Sequence, residues 1–445
     1  MSSPDALDAG GMPGAAPDPG ARWSIFLKPR GGSPVQAHNW AATQREALFF
    51  GALEAAFAFI AVLLARLGAT NLEVGVLTAL PPLAVFLLAV PFGSFVQARR
   101  NAVPWYSRGR ALGQCVIPVV GLIVLFAPQD LIIPLTLVAA TVCALFQAFA
   151  DLVFWVVMDG VAGPEGRYSL MGHRLGLKMG VSATLQAAIG AFLTRAPFPL
   201  GYGVVFTASA VNVGLGFRYS RTLRVADNPP SEPSSSASVP SRVRGLVREV
   251  GGERRFVAFS GVHSLLTFGI KMAAPLLPLW YVRELGATDA FIGVVGTVSA
   301  AATMLGYFLW RRPARRFGGS RVLVPTTLGV ALFPLALSLA HTDAMVLVFV
   351  AIYAFCSAGM DLAIFDALMN TVPADRSVRF AALDTGAVNV AGVVAPLTGA
   401  VVASALGLGP ALVVAAFVGL LGAVGLPVSL VGRRPRGRRW PLRRG

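Results

Sequence analysis

Polar side chains stand inside apolar runs of helical length, and the types of seven of them set the chemistry open to this chain. Glu54 lies in the run Ala47 to Leu67, Gln147 and Asp151 in Leu131 to Met158, His263 and Lys271 in Phe256 to Val282, and Asp361 and Asp366 in Ala344 to Met369. An ionisable group at the centre of a bilayer costs about 2.5 to 3.5 kcal/mol on insertion scales, so each one needs a partner or a use. Lys271 offers a point charge for an anion, and the carboxylates can hold a proton or a cation. His263 can relay a proton or act as a hydrogen-bonded packing residue. Gln147, Asn212 and Asn389 can hydrogen-bond a ligand or a neighbouring helix.

Depth narrows the pairing. Glu54 is thirteen residues before Leu67 and Lys271 fourteen before Leu285, which places both roughly 20 Å from the outer ends of their runs at about 1.5 Å per residue. Lys271 is therefore expected either to bind an anion or to pair with an acid, Glu54 first and Asp361 second. A pair that only fixes helix packing is the alternative. Asp151 is within reach of loop arginines, Asp366 is expected near the interface, and Lys178 and Asp384 are expected to snorkel from helix ends.

No other constellation competes. The chain has no GxxxxGK[ST], HExxH or GxSxG pattern, and Cys115, Cys143 and Cys356 fall in apolar runs without CxxC or Cys/His spacing. Neither a metal, a cofactor, a disulfide framework nor an enzyme is expected.

The elements that must position these residues follow from composition. With 55% hydrophobic residues, 13% charged residues and a mean hydropathy of +0.68 over 445 residues, the apolar surface exceeds what one soluble core can hide, and lipid is the expected solvent. Twelve runs of spanning length are predicted. Beside the four above they are approximately Val74 to Val96, Leu112 to Phe126, Leu175 to Leu193, Tyr202 to Tyr219, Ala290 to Trp310, Val322 to Ala340, Phe380 to Leu406 and Ala411 to Val431. Residues 1–44 read as a structureless tail, 45–219 and 256–431 as two six-helix bundles, 220–255 as a polar linker and 432–445 as a basic tail. No cleavable signal peptide is apparent, so the first run is expected to serve as its own insertion signal.

The two bundles repeat one another. Leu67-Gly68-Ala69-Thr70 recurs as Leu285-Gly286-Ala287-Thr288, each followed after four intervening residues by a glycine, Gly75 and Gly293, and Asp151-Leu152 recurs as Asp361-Leu362. A net charge of +16 suggests nucleic acid in a soluble protein, but here the basic residues sit in connectors and tails. With both termini inside, 33 of the 37 lysines and arginines fall on the inner side and only Arg66, Arg195 and Arg283 outside. That asymmetry predicts cytoplasmic termini in a plasma or inner membrane, no nucleic-acid partner, and anionic lipids under the seven arginines beyond Gly432.

Six helices, a linker and six more, with basic loops after the second and eighth, resemble the major facilitator superfamily over about Arg45 to Val431. After helix eight the family pattern is roughly G-x-L-A-D-R-x-G-R-R-x-x-L; in Arg311 to Leu323, Ala314, Arg316, Gly318 and Leu323 match, with Arg312 in the same loop and Arg315 at the acidic position. After helix two, Gly93 matches and Arg99 and Arg100 follow, but Gln97 stands at the acidic position. Pro164-Glu165-Gly166-Arg167 and Pro373-Ala374-Asp375-Arg376 look like the family's P-E-x-R turns, and Gly386, Gly392, Pro396 and Gly399 like its small-residue helix eleven.

The resemblance implies a monomeric, all-helical secondary transporter that moves a small solute by alternating access, driven by a proton or substrate gradient. It implies that helices one, four, seven and ten line a central cavity, which puts Glu54, Gln147, Asp151, His263, Lys271 and Asp361 on cavity-lining helices. Gly93, Arg99, Arg100, Arg312, Arg316 and Gly318 would form gating loops, without the family's acid-to-arginine latch. A transporter-like receptor or assembly factor without flux is the alternative, and an intramembrane enzyme a more distant one. Pro81, Pro82, Pro91, Pro275 and Pro278 are expected to bend helices two and seven, for gating or for packing.

Overall fold

Residues 33–97, 101–225, 253–371 and 377–430 are described in the computed structural model, and twelve of their helical stretches are long and apolar enough to cross a membrane. They are α1 (Pro34–Arg66), α2 (Asn71–Gln97), α3 (Val103–Phe126), α4 (Gln129–Ala162), α5 (Ser169–Arg195) and α6 (Leu200–Ser220) in the first half. The second half holds α7 (Arg254–Arg283), α8 (Asp289–Ala314), α9 (Gly319–Ser338), α10 (Asp343–Leu368), α11 (Phe380–Leu406) and α12 (Leu408–Pro427). The fold class is as the sequence predicts, an all-helical membrane protein of two related six-helix bundles. Pairings repeat between the halves: α1 packs on α5 and α6 and α3 on α4 and α6, as α7 packs on α11 and α12 and α9 on α10 and α12.

The repeated L-G-A-T is a helix stop followed by a helix start. Gly68 and Gly286 have φ of +86° and +62°, a left-handed turn that a Cβ disfavours and that ends α1 and α7. Two residues on, Thr70 and Thr288 cap the next helices. The Thr70 hydroxyl accepts from the Glu73 amide while the Glu73 carboxylate accepts from the Thr70 amide, a reciprocal capping box, and the Thr288 hydroxyl accepts from the Phe291 amide. The turns between α1 and α2 and between α7 and α8 are thereby built alike.

Several boundaries differ from expectation. The structureless tail does not extend to Gln44: α1 begins at Pro34, capped by the Ser33 hydroxyl, and Asn39, Trp40, Thr43, Gln44 and Glu46 are buried. Polar side chains that hide hydropathy from a sequence reading tie this turn down. Asn39 exchanges hydrogen bonds with the backbone of Arg224, and His38 meets the Thr222 carbonyl. Helices predicted as separate at positions four and five lie in one helical run, Ile132–Arg195, so Pro164 to Arg167 is helical and not a turn. The two spans still run oppositely. α4 passes antiparallel to α3, with Gly109 against Phe149 and Gly113 against Gln147, whereas Arg174 and then Lys178 of α5 follow α1 upward from Glu46 to Glu54. Pro373 to Arg376 and the tail beyond 430 lie outside the described residues.

Proline acts where its missing N–H falls. α7 is interrupted between Ala273 and Leu276 at Pro275, and α3 at Cys115, whose neighbour Gln114 would have bonded the absent N–H of Pro118. α2 remains continuous through Pro81, Pro82 and Pro91. Phe126, Phe308 and Phe417 are large apolar side chains left exposed, as lipid as solvent allows.

The apolar core is shared at one end and divided at the other. One continuous cluster joins Leu63, Val74 and Val120 of the first half to Leu276, Trp280 and Val295 of the second. Toward the opposite end the halves keep separate clusters, Trp40, Tyr106, Val157 and Leu170 in one and Phe256, Phe259, Leu323 and Phe380 in the other. Close approach sustains the shared end: Gly399 of α11 abuts the backbone of Met272, Gly75 of α2 abuts Pro396, and Gly190 of α5 abuts Asp289 at the start of α8.

Candidate functional site

A cavity of about 510 Å³ opens between the halves. Phe57, Ile60, Leu77 and Val85 give it an apolar wall, Gln147 and Asp151 come from α4, Lys271 from α7, and Asn389 from α11. Gln147 Nε2 donates to Asp151 Oδ1 at 2.9 Å, so these two act as one polar edge. Asp151, Lys271 and Asp361 are exposed although they lie on helices that span the membrane. The cavity therefore connects with water on the side where the core is divided.

Lys271 differs from the other candidates. Among the described residues its ammonium has no hydrogen bond or ion pair, and the expected pairing with Glu54 is not the one formed. Glu54 Oε2 lies 2.8 Å from Lys178 Nζ of α5, so Lys178 turns inward instead of snorkelling. Which face α5 turns toward α1 cannot be counted from residue depth. Asp361, the second expected partner, accepts from the Tyr307 hydroxyl at 2.8 Å and lies within the electrostatic reach of Lys271 without forming an ion pair with it. His263 does not line the central cavity; its Nδ1 is 3.0 Å from Asp384 Oδ2, and Asp384 is buried rather than snorkelling.

These pairs follow the repeat with their charges reversed. Glu46 and Glu54 each precede His263 and Lys271 by 217 positions, and Arg174 precedes Asp384 by 210, as Asp151 precedes Asp361. In the first half the acid is on α1 and the base on α5, Glu46 with Arg174 at 3.4 Å; in the second the base is on α7 and the acid on α11. The counterpart of Lys178 by the same 210 offset is Val388, which lines the cavity beside Lys271. Lys271 thus occupies the place of a paired glutamate, but its own partner position is apolar.

Sequence reasoning did not single out two further constellations. Glu46, 2% exposed, accepts from the Tyr106 hydroxyl at 2.7 Å and lies 2.9 Å from Arg110 Nε, whose guanidinium sits 4.1 Å from the Phe50 ring centroid. The second is a reciprocal clasp across the shared-core end. Arg66, last residue of α1, donates to Asp289 Oδ1 at 2.9 Å and to the Ala287 carbonyl at 2.7 Å, and Tyr202 also donates to Asp289 at 2.7 Å. Arg283, at the end of α7, donates to the Ala69 carbonyl and, at 3.1 Å, to Asn71 Oδ1. Each arginine reaches the L-G-A-T turn of the other half. The available signal was their position, one and two residues before that repeated motif, in a minority of basic residues on that side.

The gating-loop expectations have less to show. Arg99 and Arg100 lie outside the described residues, and Gly93 is placed only as part of α2. Arg312 and Arg316 are exposed, Arg316 lying 5.3 Å from the Phe317 ring centroid, and Gly318, at φ +84°, starts α9. Asp366 packs against Gly319 at that same helix start.

The family model described as Major Facilitator Superfamily matches residues 259–445. No curated protein sequence matches the chain. Among solved structures the chain is similar to the nucleoside transporter NupG, with a TM-score of 0.69 and 8% identity over 89% of this chain and 100% of that one. It is also similar to a bacterial homologue of the iron transporter ferroportin in an inward-facing state, with a TM-score of 0.68 and 13% identity over 90% and 100%. A third match is the inward-open xylose transporter XylE from E. coli, with a TM-score of 0.65 and 13% identity over 89% and 96%. At such identities the structural likeness is one of fold.

Proposed function

We propose that this chain, which belongs to the major facilitator superfamily and is a multi-pass membrane transporter, carries a small organic anion by alternating access between its two halves. The observation that carries this reading is the exposed Lys271 in the cavity between the halves, which forms no hydrogen bond or ion pair among the described residues, feels only the more distant charge of Asp361, and stands beside a Val388 that gives it no counter-charge. A cation that forms no ion pair of its own attracts an anion, and the Gln147–Asp151 edge can receive a donor group at the other side of the same molecule. The clasped end is the outer gate and the divided end the cytoplasmic opening. Both termini are cytoplasmic, and the gradient of a proton or of a second solute drives the cycle. The positive-inside distribution supports the orientation. The chain works as a monomer, and its basic tail rests on anionic lipid.

Counterflow of radiolabelled 3-phenylpropionate in proteoliposomes of the full chain tests the reading. Saturable counterflow is expected, with a loss of at least tenfold in Lys271→Met, equivalent to about 1.4 kcal/mol. Saturable binding without flux would make the chain a receptor, and undiminished flux in Lys271→Met would remove the anion site. Orientation has its own check: reporter fusions after Asn228 and at the C-terminus should report cytoplasm and one after Asp289 the outside, whereas an external signal at Asn228 would overturn the topology.

A further inference from the structure

The first half contains a second cavity that the central site does not use. It measures about 290 Å³, lies between α1, α2, α3 and α4, and is walled by Leu53, Leu80, Val116, Ile117, Ala140 and Cys143. It adjoins the central cavity, since Phe57, Leu77, Pro81, Ala144 and Gln147 line both. One polar group facing it stands out. The Gln114 side chain is only 8% exposed, and its Nε2 has no hydrogen-bond partner among the described residues.

A buried amide donor in apolar surroundings is costly unless something accepts from it. An ordered water there needs two to four polar partners, and beyond Gln114 itself only the Glu54 and Gln147 oxygens of the lining could supply them. Here Gln147 Nε2 is engaged by Asp151 and Glu54 by Lys178. The Glu54 carboxylate also disfavours a second anion in the pocket. The geometry suits a neutral apolar group that carries one hydrogen-bond acceptor. Size agrees: an apolar protein cavity of about 150 Å³ takes up benzene, so roughly twice that volume accommodates a substituted phenyl ring.

We infer that this side pocket holds the apolar body of the transported anion, a ring-sized group whose ether or carbonyl oxygen accepts from Gln114 while the anionic end stays at Lys271. The inference rests on the anion reading of Lys271, and the two can fail separately. Phe57, Leu77, Pro81, Ala144 and Gln147 then form the rim between the subsites, and Glu54, held by Lys178, lies on the side-pocket wall.

The test is isothermal titration of the purified full chain with 3-(4-methoxyphenyl)propionate, 3-phenylpropionate, propionate and the three corresponding amides. The ring should improve affinity at least tenfold for acids and amides alike, and Ala140→Phe, which fills the pocket, should bring the ring-bearing acid down to the affinity of propionate. Gln114→Leu should abolish the preference for the methoxy-substituted ring over plain 3-phenylpropionate. In Lys271→Met the difference between acid and amide should vanish while the ring effect persists; an acid-to-amide difference that survives there defeats the anion reading and leaves the pocket standing. Should Ala140→Phe not fold, Ala140→Leu and Gln114→Leu carry the same comparison. No saturable binding of the ring-bearing acid, equal affinities with and without the ring, or a ring effect intact in the filled pocket overturns the inference.

Discussion

Lys271 and Glu54 occupy equivalent positions in the repeat, yet one is free and the other bonded, and the difference is made by a single residue on the neighbouring helix. Lys178 stands beside Glu54, and Val388 stands at the corresponding place beside Lys271. Supplying the missing acid should therefore silence the site: Val388→Glu is expected to lower 3-phenylpropionate affinity at least tenfold in the same titration, with folding retained because the new carboxylate meets an ammonium. Unaltered affinity would mean that Lys271 does not hold the anion. Glu46 is a different case, since it is buried and faced by Arg110, Arg174 and Tyr106. Glu46→Gln leaves two guanidinium groups without their acid, and breaking such a buried pair costs about 3–5 kcal/mol; a thermal melt of the purified protein should show a large drop, and an unchanged melt would contradict the assignment. Charged residues on helices one, four, seven and ten could be found in the sequence, because charge in an apolar run stands out. Their partners could not: Glu54 and Lys271 have nearly equal depth, but the rotation that turns Lys178 toward Glu54 arises from packing between α1 and α5.

At the level of elements, the helix count and the repeated turn were legible for a physical reason. A glycine followed two residues later by a threonine encodes both a left-handed stop and a cap, and the structure has both at Gly68-Thr70 and Gly286-Thr288. The first eleven residues of α1 were not legible, because Asn39, Thr43 and Gln44 lower local hydropathy while being buried, Asn39 against the chain that follows α6. The break in α7 followed from Pro275 as expected, whereas three prolines left α2 continuous. The clasp belongs to this scale, since it joins the end of α1 to the α7–α8 turn and the end of α7 to the α1–α2 turn. Removing both arginines, Arg66→Ala with Arg283→Ala, should open that end. A cysteine at Ile60, buried on the cavity side of α1, should then react with a membrane-impermeant thiol reagent applied outside, in a background lacking Cys115, Cys143 and Cys356. Labelling that stays at the parent rate would show that the apolar core alone keeps the end shut.

For the whole molecule, the distribution of core is the main fact. A single apolar cluster spans both halves at the clasped end, and each half keeps its own cluster at the other. Two rigid bodies joined at one end and separated by a cavity can exchange which end is joined, provided that the two arrangements differ by only a few kcal/mol. The sequence announced the two bodies through its repeat but not which end is closed, because that depends on contacts between residues more than two hundred positions apart, such as Arg66 with Asp289. The most direct measurement is a pair of spin-label distances in the full chain, one between exposed Leu72 and Leu406 at the clasped end and one between exposed Arg108 and Arg321 at the open end. In the parent protein the first distance should be short and single. In the Arg66→Ala, Arg283→Ala protein a longer population should appear there while the second distance acquires a shorter one in matching proportion. A clasped end that loosens with no change at the other end would show fraying in place of rocking and would contradict alternating access about this cavity.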